Sequence, residues 1–478
     1  MDYTEKHVGT QLYQRLEGVG RQNLIEHVVF TNIERFIMNS ARKILTMGVT
    51  MVALASFAAC GSSGSGSATK PADTSKAFGR IVFWGWGNGI KETIAAFEKD
   101  NPGITVKYNN TGTAGDTQVA LSNAVAAGKG IPDVTMLEDP TVQQFAIEDN
   151  LENLSDYGAD KFADDFTPGP WNKVQYDGKP YALPIDAGPE VFFYNKAVFD
   201  KAGIPDPPKT WDEYYQDAKK IRAVGSYITN NAGDKNAYQP FTAQAWQAGA
   251  HPWKVDGDKI TINMTKDAGM KRYIDFQQKL IDEDLLDTKT ANWSDDWNRA
   301  LNDGSVASLT IGAWMPTNLE SGAPDQKGNW RVAPLPQWKE GDSVSAEDGG
   351  SALVVPKKAK NKAAAWKFAE YLTHGKGAQV MADQGSFPSL KRILSSTEFT
   401  SKKNEYFGGQ EVNKVLTEAA NLKVSKFQYL PYNPFAQSTY GDSIGKAYMK
   451  QTTLEKAFED YQQKLVDHGN QQGYQVNK

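Results

Sequence analysis

Carboxylates at strand ends are the first candidates for chemistry. Glu138-Asp139 follows the short apolar run Val134 to Leu137, and Asp186 interrupts a second run, Ala182 to Tyr194. Ionised carboxylates accept hydrogen bonds strongly, so each can fix two hydroxyls of a polyol. A carboxylate pair is also what glycoside hydrolysis uses. Neighbouring residues after a strand tend to point apart, and nothing in the sequence fixes a catalytic separation. For Glu138 and Asp139, binding, acid/base catalysis and a plain loop role all stay open.

Aromatic residues form the second group. The chain has 12 Trp. Burial statistics put roughly two thirds of them in a core. Indole also offers an apolar face that matches the C–H face of a pyranose. Trp246 and Trp314 read as stacking platforms, Trp314 because it ends an apolar strand just before Met315-Pro316. Trp293 and Trp297 stand four apart on a predicted helix, a spacing used more for core packing. Gly85-Trp86-Gly87-Asn88-Gly89 follows a strand and opens a helix, the setting of a phosphate-binding turn. Its spacing is G-x-G-x-G and no Lys-Ser/Thr follows, so the preferred reading is a ligand-facing turn. Trp86 would stack and Asn88 would hydrogen-bond hydroxyls; a bare tight turn is the alternative.

Other chemistry has little support. His251, His374 and His468 are far apart, and HExxH and Walker patterns are absent. No metal or other cofactor is expected.

Positioning these residues needs an open sheet. Ile81 to Trp84 is a strand, followed by a helix with Ile90, Ile94 and Phe97 on one face, stopped at Asn101-Pro102-Gly103, and by a strand from Ile104 to Tyr108. A helix from Thr117 to Ala127 and the strand Val134 to Leu137 continue the alternation. That pattern predicts an α/β fold with both sheet faces covered. Ligands bind such sheets at the carboxyl ends of strands, where Trp84 to Asn88 and Glu138-Asp139 lie. The run Ala182 to Tyr194, broken by Asp186, Gly188 and Pro189, predicts a strand leaving one packed unit for another. Pro207, Pro208 and Thr210 then open a helix, with Glu213 completing a capping box.

Length and charge bound the class. At 478 residues two or three domains are expected. The hydrophobic share of 40%, charged share of 23% and net charge of −5 suit a soluble globular protein and give no basic field for nucleic acid. The one cysteine, Cys60, allows no disulfide framework and no zinc cluster. Basic Arg42-Lys43, the apolar stretch Ile44 to Ala59, then Ala58-Ala59-Cys60-Gly61 look like the signal peptide and lipobox of bacterial lipoproteins. The alternative is a plain cleaved signal peptide.

The triplet Tyr194-Asn195-Lys196, Phe199, and the helix start Pro207 to Glu213 resemble the crossover segment of extracellular solute-binding proteins of ABC importers. The sugar-binding branch that includes maltose-binding protein is the one matched. The resemblance runs from Ile81 to Gln463. It implies a periplasmic-binding-protein-like fold: two α/β lobes joined by a multi-crossing hinge, with the ligand cleft between them. It implies that Trp314 faces the ligand and that Asp348, Gly349 and Gly350 form a glycine pair facing the cleft. Arg331 to Pro336 looks like the return crossover. The domains expected are an upstream extension, 1–37, from a misplaced start; a lipoprotein signal peptide, 38–59; the lipidated Cys60 and its tether, 60–77; lobe 1, 78–187 and 331–373; and lobe 2, 188–330 and 374–478. The function implied is a monomeric binding protein, lipid-anchored on the outer face of the cytoplasmic membrane, that delivers a carbohydrate to a permease. The ligand-binding residues expected are Trp84, Trp86, Asn88, Glu138, Asp139, Asp186, Trp246, Trp314, Asp348, Gly349 and Gly350. A secreted glycan-active enzyme using Glu138/Asp139 is the rival.

Overall fold

The computed structural model describes residues 74–87, 89–424 and 428–478. Asn88, Cys60 and the expected extension and signal peptide lie outside the described residues, as does the tether up to residue 73. Among the described residues no helix is long and apolar enough to cross a membrane.

The chain opens with β1 (Gly79–Gly85), α1 (Ile90–Asp100), β2 (Ile104–Asn110), α2 (Ala114–Ala127), β3 (Val134–Glu138) and α3 (Asp139–Ile147). Helix α1 buries Ile90, Ile94 and Phe97 as its spacing predicts. Helix α2 starts three residues earlier than expected, because Thr113 and Asp116 form a reciprocal capping box. A short helix α4 (Pro168–Lys173) precedes β4 (Ala182–Pro184). β5 (Glu190–Asn195) then starts a second sheet.

Next come α5 (Trp211–Ala223), α6 (Tyr238–Gln247), α7 (Ala268–Asp282), α8 (Asp295–Asp303), β6 (Ser308–Gly312), β7 (Trp330–Ala333) and β8 (Ser351–Val354). The last elements needed are α9 (Lys362–Thr373), α10 (Lys376–Asp383), α11 (Val412–Ala420), α12 (Asn433–Tyr448) and α13 (Leu454–Gln471). Thr210 caps α5 by accepting from the Glu213 amide at 3.1 Å, while the Glu213 carboxylate accepts from the Lys209 amide at 2.6 Å. Pro434 lies in the first turn of α12, where its missing N–H costs nothing.

The first sheet has the order β2-β1-β3-β8-β4, parallel across β2-β1-β3 and antiparallel at β8. The second sheet is antiparallel, β6-β5-β7. Alternation along β5 sends Val191 and Phe193 into the core shared with the first sheet, and Phe192 into the other core with Trp211, Tyr214 and Phe241. Two α/β lobes result, and three passages link them. Residues 185–189 join β4 to β5, and residues 334–350 return from β7 to β8. After α10, which packs on α1, residues 384–411 lead to α11 on the second sheet.

Two of the expected lobe limits need correction. Residues 331–333 belong to the second sheet, since β7 pairs with β5, so the return passage starts at Pro334. Residues 376–390 stay with lobe 1: α10 packs on α1, and the Ser389 amide and hydroxyl bond the Ile185 carbonyl at the end of β4.

The passages are zipped together. Asp186 bridges Pro388 and Pro189 bridges Glu347. The Asp348 amide donates to the Gly188 carbonyl at 2.7 Å, and the Ala187 amide to that of Phe387 at 3.1 Å. Gly188 is required there, because a Cβ would stand 2.3 Å from the Asp348 carbonyl oxygen.

Candidate functional site

The hinge and the facing strand ends hold a buried polar cluster. Lys173, at the end of α4, is 6% exposed. Its Nζ donates to the Gly349 carbonyl at 2.9 Å and lies 3.5 Å from Asp139 and 3.8 Å from Glu347. The Trp246 ring centroid is 6.0 Å from the same ammonium. Asp139 opens α3, fully buried, and Gly350 is what admits it. A Cβ on Gly350 would meet an Asp139 carboxylate oxygen at 2.3 Å, and φ there is +112°. Glu347 accepts from the Gly188 amide at 3.2 Å.

Asp186 is committed to the hinge. One of its oxygens accepts from the Ser351 amide at 2.6 Å and the Ser351 hydroxyl at 2.8 Å, tying the first passage to β8. Asp348 gives its carbonyl to the Trp314 indole N–H at 2.7 Å, and one of its carboxyl oxygens has no partner. Glu190, at the start of β5, is fully buried with neither carboxyl oxygen bonded.

So many carboxyls around one ammonium cannot all be ionised. Burial pushes Asp139 up to about 8, against the pull of Lys173. It pushes Asp348 up to about 7 and raises Asp186, Glu347 and, furthest, Glu190. Burial pulls Lys173 down, but Tyr429, then Glu347 and Asp139, hold it above its ordinary value.

Glu138 faces a different space. A small recess is lined from lobe 1 by Gln118, Glu138, Pro140 and Thr141. From lobe 2, Gln239 and Thr242 of α6, Tyr429, and Asn433 and Gln437 of α12 complete it. Asn433 is positioned by accepting from the Tyr238 hydroxyl at 2.6 Å. Burial raises Glu138 to about 6, while a hydrogen bond from Gln239, across the lobes, works in the opposite direction. Besides Pro140 and Pro434, the lining is amide, hydroxyl and phenol around this one carboxyl. Such a surface can exchange hydrogen bonds with hydroxyls at many angles, and it carries no cation to attract an anion. Among the described residues no cluster of His, Cys, Asp or Glu is suited to a metal ion.

The expected site residues therefore divide. Asp139, Asp186, Trp246, Trp314 and Asp348–Gly350 gather at the hinge, with Glu138 at the adjoining recess. Trp84 is turned toward β2, where its indole N–H meets the Asn109 amide oxygen at 3.0 Å once that amide is oriented to accept. Trp86 packs partly buried on the lobe 1 core. Trp246 is only 4% exposed, packed against Ala243 and Ala346, so it backs the site rather than offering an open face.

Lys173, Glu190, Glu347 and Gln239 were not foreseen. Glu190 carried a signal, a charge inside the apolar run PEVFFY. Lys173, in a Pro-Gly-Pro-Trp-Asn-Lys stretch, carried none that separates it from a surface lysine.

Comparison with known proteins matches residues 85–379 to the family model described as bacterial extracellular solute-binding protein. The arabinooligosaccharide-binding protein of Bacillus subtilis (strain 168) is 28% identical over 352 residues, 68% of this chain and 76% of that protein. The lactose-binding protein of Rhizobium radiobacter is 24% identical over 70% of this chain and 80% of its own length. Among solved structures, the ABC-transporter-associated binding protein of B. animalis subsp. lactis Bl-04, in complex with β-1,6-galactobiose, superposes with a TM-score of 0.76. It is 41% identical and covers 84% of this chain and 100% of its own. The galacto-N-biose/lacto-N-biose I-binding protein of Bifidobacterium longum, in complex with lacto-N-biose, gives 0.73 at 28% identity, over 84% and 99%.

Proposed function

The chain belongs to the bacterial extracellular solute-binding proteins, and from that membership we propose that it captures a neutral oligosaccharide for an ABC importer, with galactose-containing disaccharides as the first candidates. The observation that carries the reading is the recess between the lobes. It is lined from both sides by amides and hydroxyls around a single carboxyl, the complement of a polyhydroxy ligand with no charge. The two solved relatives hold β-1,6-galactobiose and lacto-N-biose, which is why those two sugars are the probes to begin with.

Capture works by making one ligand bridge two bodies. Sugar hydroxyls donate to Glu138 on lobe 1 and exchange hydrogen bonds with Gln239, Asn433 and Gln437 on lobe 2. A ligand touching both lobes favours the closed arrangement by its difference in affinity for the two states. The zipped passages guide that motion. The Asp186–Ser351 and Asp348–Gly188 bonds lie within the hinge and can persist as the lobes swing. Trp314, pinned through its N–H to the Asp348 carbonyl, offers its ring face rather than its polar edge. Neither Glu138 nor Asp139 is read as a catalyst: one lines the recess, the other is buried beside Lys173. Delivery to the permease follows closure. Lipidation at Cys60 would hold the body at the outer face of the membrane.

A thermal-shift series with β-1,6-galactobiose, lacto-N-biose and galactose tests the proposal. Ligand binding raises the melting temperature by mass action, so about 100 Kd of sugar should stabilise by about 2.7 kcal/mol. Trp314→Ala should abolish most of the shift. Absence of any shift with either disaccharide defeats the reading. Release of galactose that stops in Glu138→Gln would favour the glycan-active enzyme instead.

A further inference from the structure

Just ahead of β1 the chain carries an apolar side chain out into solvent. Phe78 is 75% exposed. Lys76 and Arg80 flank it, both exposed. Asn361 donates its side-chain N–H to the Phe78 carbonyl at 2.8 Å, which sets the loop 356–361 beside these residues. That loop reads Pro-Lys-Lys-Ala-Lys-Asn, with Lys357, Lys358 and Lys360 exposed.

The acidic groups nearby are already engaged. Lys357 pairs with Asp149 at 2.7 Å and Lys362 with Glu152 at 2.8 Å. Asp133 is buried, and its carboxylate accepts from the Val82, Lys360 and Asn361 amides, each at 2.9 Å. Among the described residues, Lys76, Arg80, Lys358 and Lys360 form no ion pair. Four uncompensated cations therefore accompany the exposed phenyl ring.

Topology gives this face its direction. β1 and β3 are parallel, and β8 runs against them. Phe78 precedes β1 and the basic loop follows β8, so both lie at the end of the sheet where β1 and β3 begin. Glu138, at the finish of β3, lies at the opposite end, with the recess. The 7 residues of β1 put about 20 Å between the two ends. In sequence, residues 61–77 separate Phe78 from Cys60. A lipid on Cys60 would thus keep this face within about 60 Å of the membrane.

We propose that Phe78, with Lys76, Arg80, Lys358 and Lys360, docks on an anionic phospholipid surface and holds the recess turned away from the membrane, toward incoming sugar. The bilayer is the occupant for two reasons. A phenyl ring among cations matches the boundary between headgroups and acyl chains, and the chain leads from this face to the anchor. The proposal rests on the lipid-anchor reading of Cys60 and adds an orientation that an anchor alone does not impose. Delivery to the permease then requires the face to leave the lipid, which contacts weakened by salt permit.

Sedimentation of the full chain with phospholipid vesicles measures the docking. Residues 1–59 are the same in every variant, so their own partitioning cancels in comparisons. At about fivefold per cation, four cations predict roughly 100-fold or more tighter binding to vesicles with about one third phosphatidylglycerol than to phosphatidylcholine alone. The excess should vanish in about 1 M salt, where the Debye length is about 3 Å. Lys358→Gln with Lys360→Gln should remove about 25-fold of it, and Phe78→Ser about tenfold. Lys402→Gln with Lys403→Gln, an exposed pair on the passage 384–411, should change it less than about twofold. All three variants should keep the wild-type melting temperature and sugar-induced shift. No preference for anionic vesicles, an unchanged preference in the first two variants, or an equal loss in the Lys402/Lys403 variant overturns the docking face while leaving the carbohydrate and anchor readings intact. Displacement by inorganic phosphate at constant ionic strength would mark a small-anion site and also overturns it. An unmodified Cys60, found by mass spectrometry of the chain taken from cells, defeats the anchor reading and the docking with it.

Discussion

Lys173→Met isolates the ammonium at the hinge while keeping most of its volume. In wild type that ammonium lies 3.5 Å from Asp139 and 3.8 Å from Glu347 and donates to the Gly349 carbonyl. At an effective dielectric of about 20, an ionised carboxylate at such a distance is worth about 4 kcal/mol before desolvation, and Asp139, pushed up to about 8, is largely neutral at pH 7.5. Burying the ammonium offsets a large part of that. Removing one partner of a buried pair still costs about 3–5 kcal/mol, because charge is left uncompensated. Unfolding entropy of about 2.1 cal/mol/K per residue, over some 400 residues, is about 0.8 kcal/mol/K. The melting temperature should therefore drop by about 5 °C at pH 7.5. The pH dependence gives the decisive signature. Lys173 lowers the proton affinity of both Asp139 and Glu347, so the variant's folded state binds protons more tightly than that of wild type. Its stability deficit must then shrink as pH falls, to less than half by pH 5. Differential scanning calorimetry across pH 5–8 measures both. A drop below about 1 °C at pH 7.5, or a deficit independent of pH, would refute the view that Lys173 carries the carboxyl cluster.

Two further outcomes follow. Glu138 titrates near 6 because burial raises it, and hydroxyl donors favour its ionised form; sugar affinity should be level above pH 7 and fall about tenfold by pH 5, with Glu138→Gln weak and flat over that range. A wild-type affinity independent of pH contradicts the role. Gly188→Ala places a methyl 2.3 Å from the Asp348 carbonyl, so the first two passages must part; chemical denaturation should show a loss of about 1–3 kcal/mol together with weakened sugar binding, and wild-type behaviour would show that the passages are not held at that distance.

Lobe architecture was readable because strands and helices announce themselves locally. Ile90, Ile94 and Phe97 mark a helix face, Thr210 and Glu213 mark a helix start, and the break at Asp186 to Pro189 marks the first passage between lobes. These are short-range signals, set by backbone sterics and periodicity. Resemblance in motif order then supplied the family and the carbohydrate reading. The helix start at Ala114 was missed only because the capping box at Thr113 lies ahead of the apolar pattern.

What the sequence could not determine is which of its polar groups meet. Asp186 and Ser351 are 165 residues apart, and Lys173 and Gly349 are 176 apart. Their contact depends on three passages lying side by side, a property of the closed sheet order rather than of any one segment. The same holds for the tryptophans. Trp293 and Trp297 share a spacing that reads as core, yet a single left-handed residue before α8 turns one of them outward. Trp84 and Trp246, both plausible platforms by residue type, end up bonded to β2 or buried behind Lys173. Residue type and spacing determined the elements of the fold, and the family resemblance they carry implied the kind of ligand. Burial, decided only when the two lobes and the hinge assemble, determined which side chains can reach it.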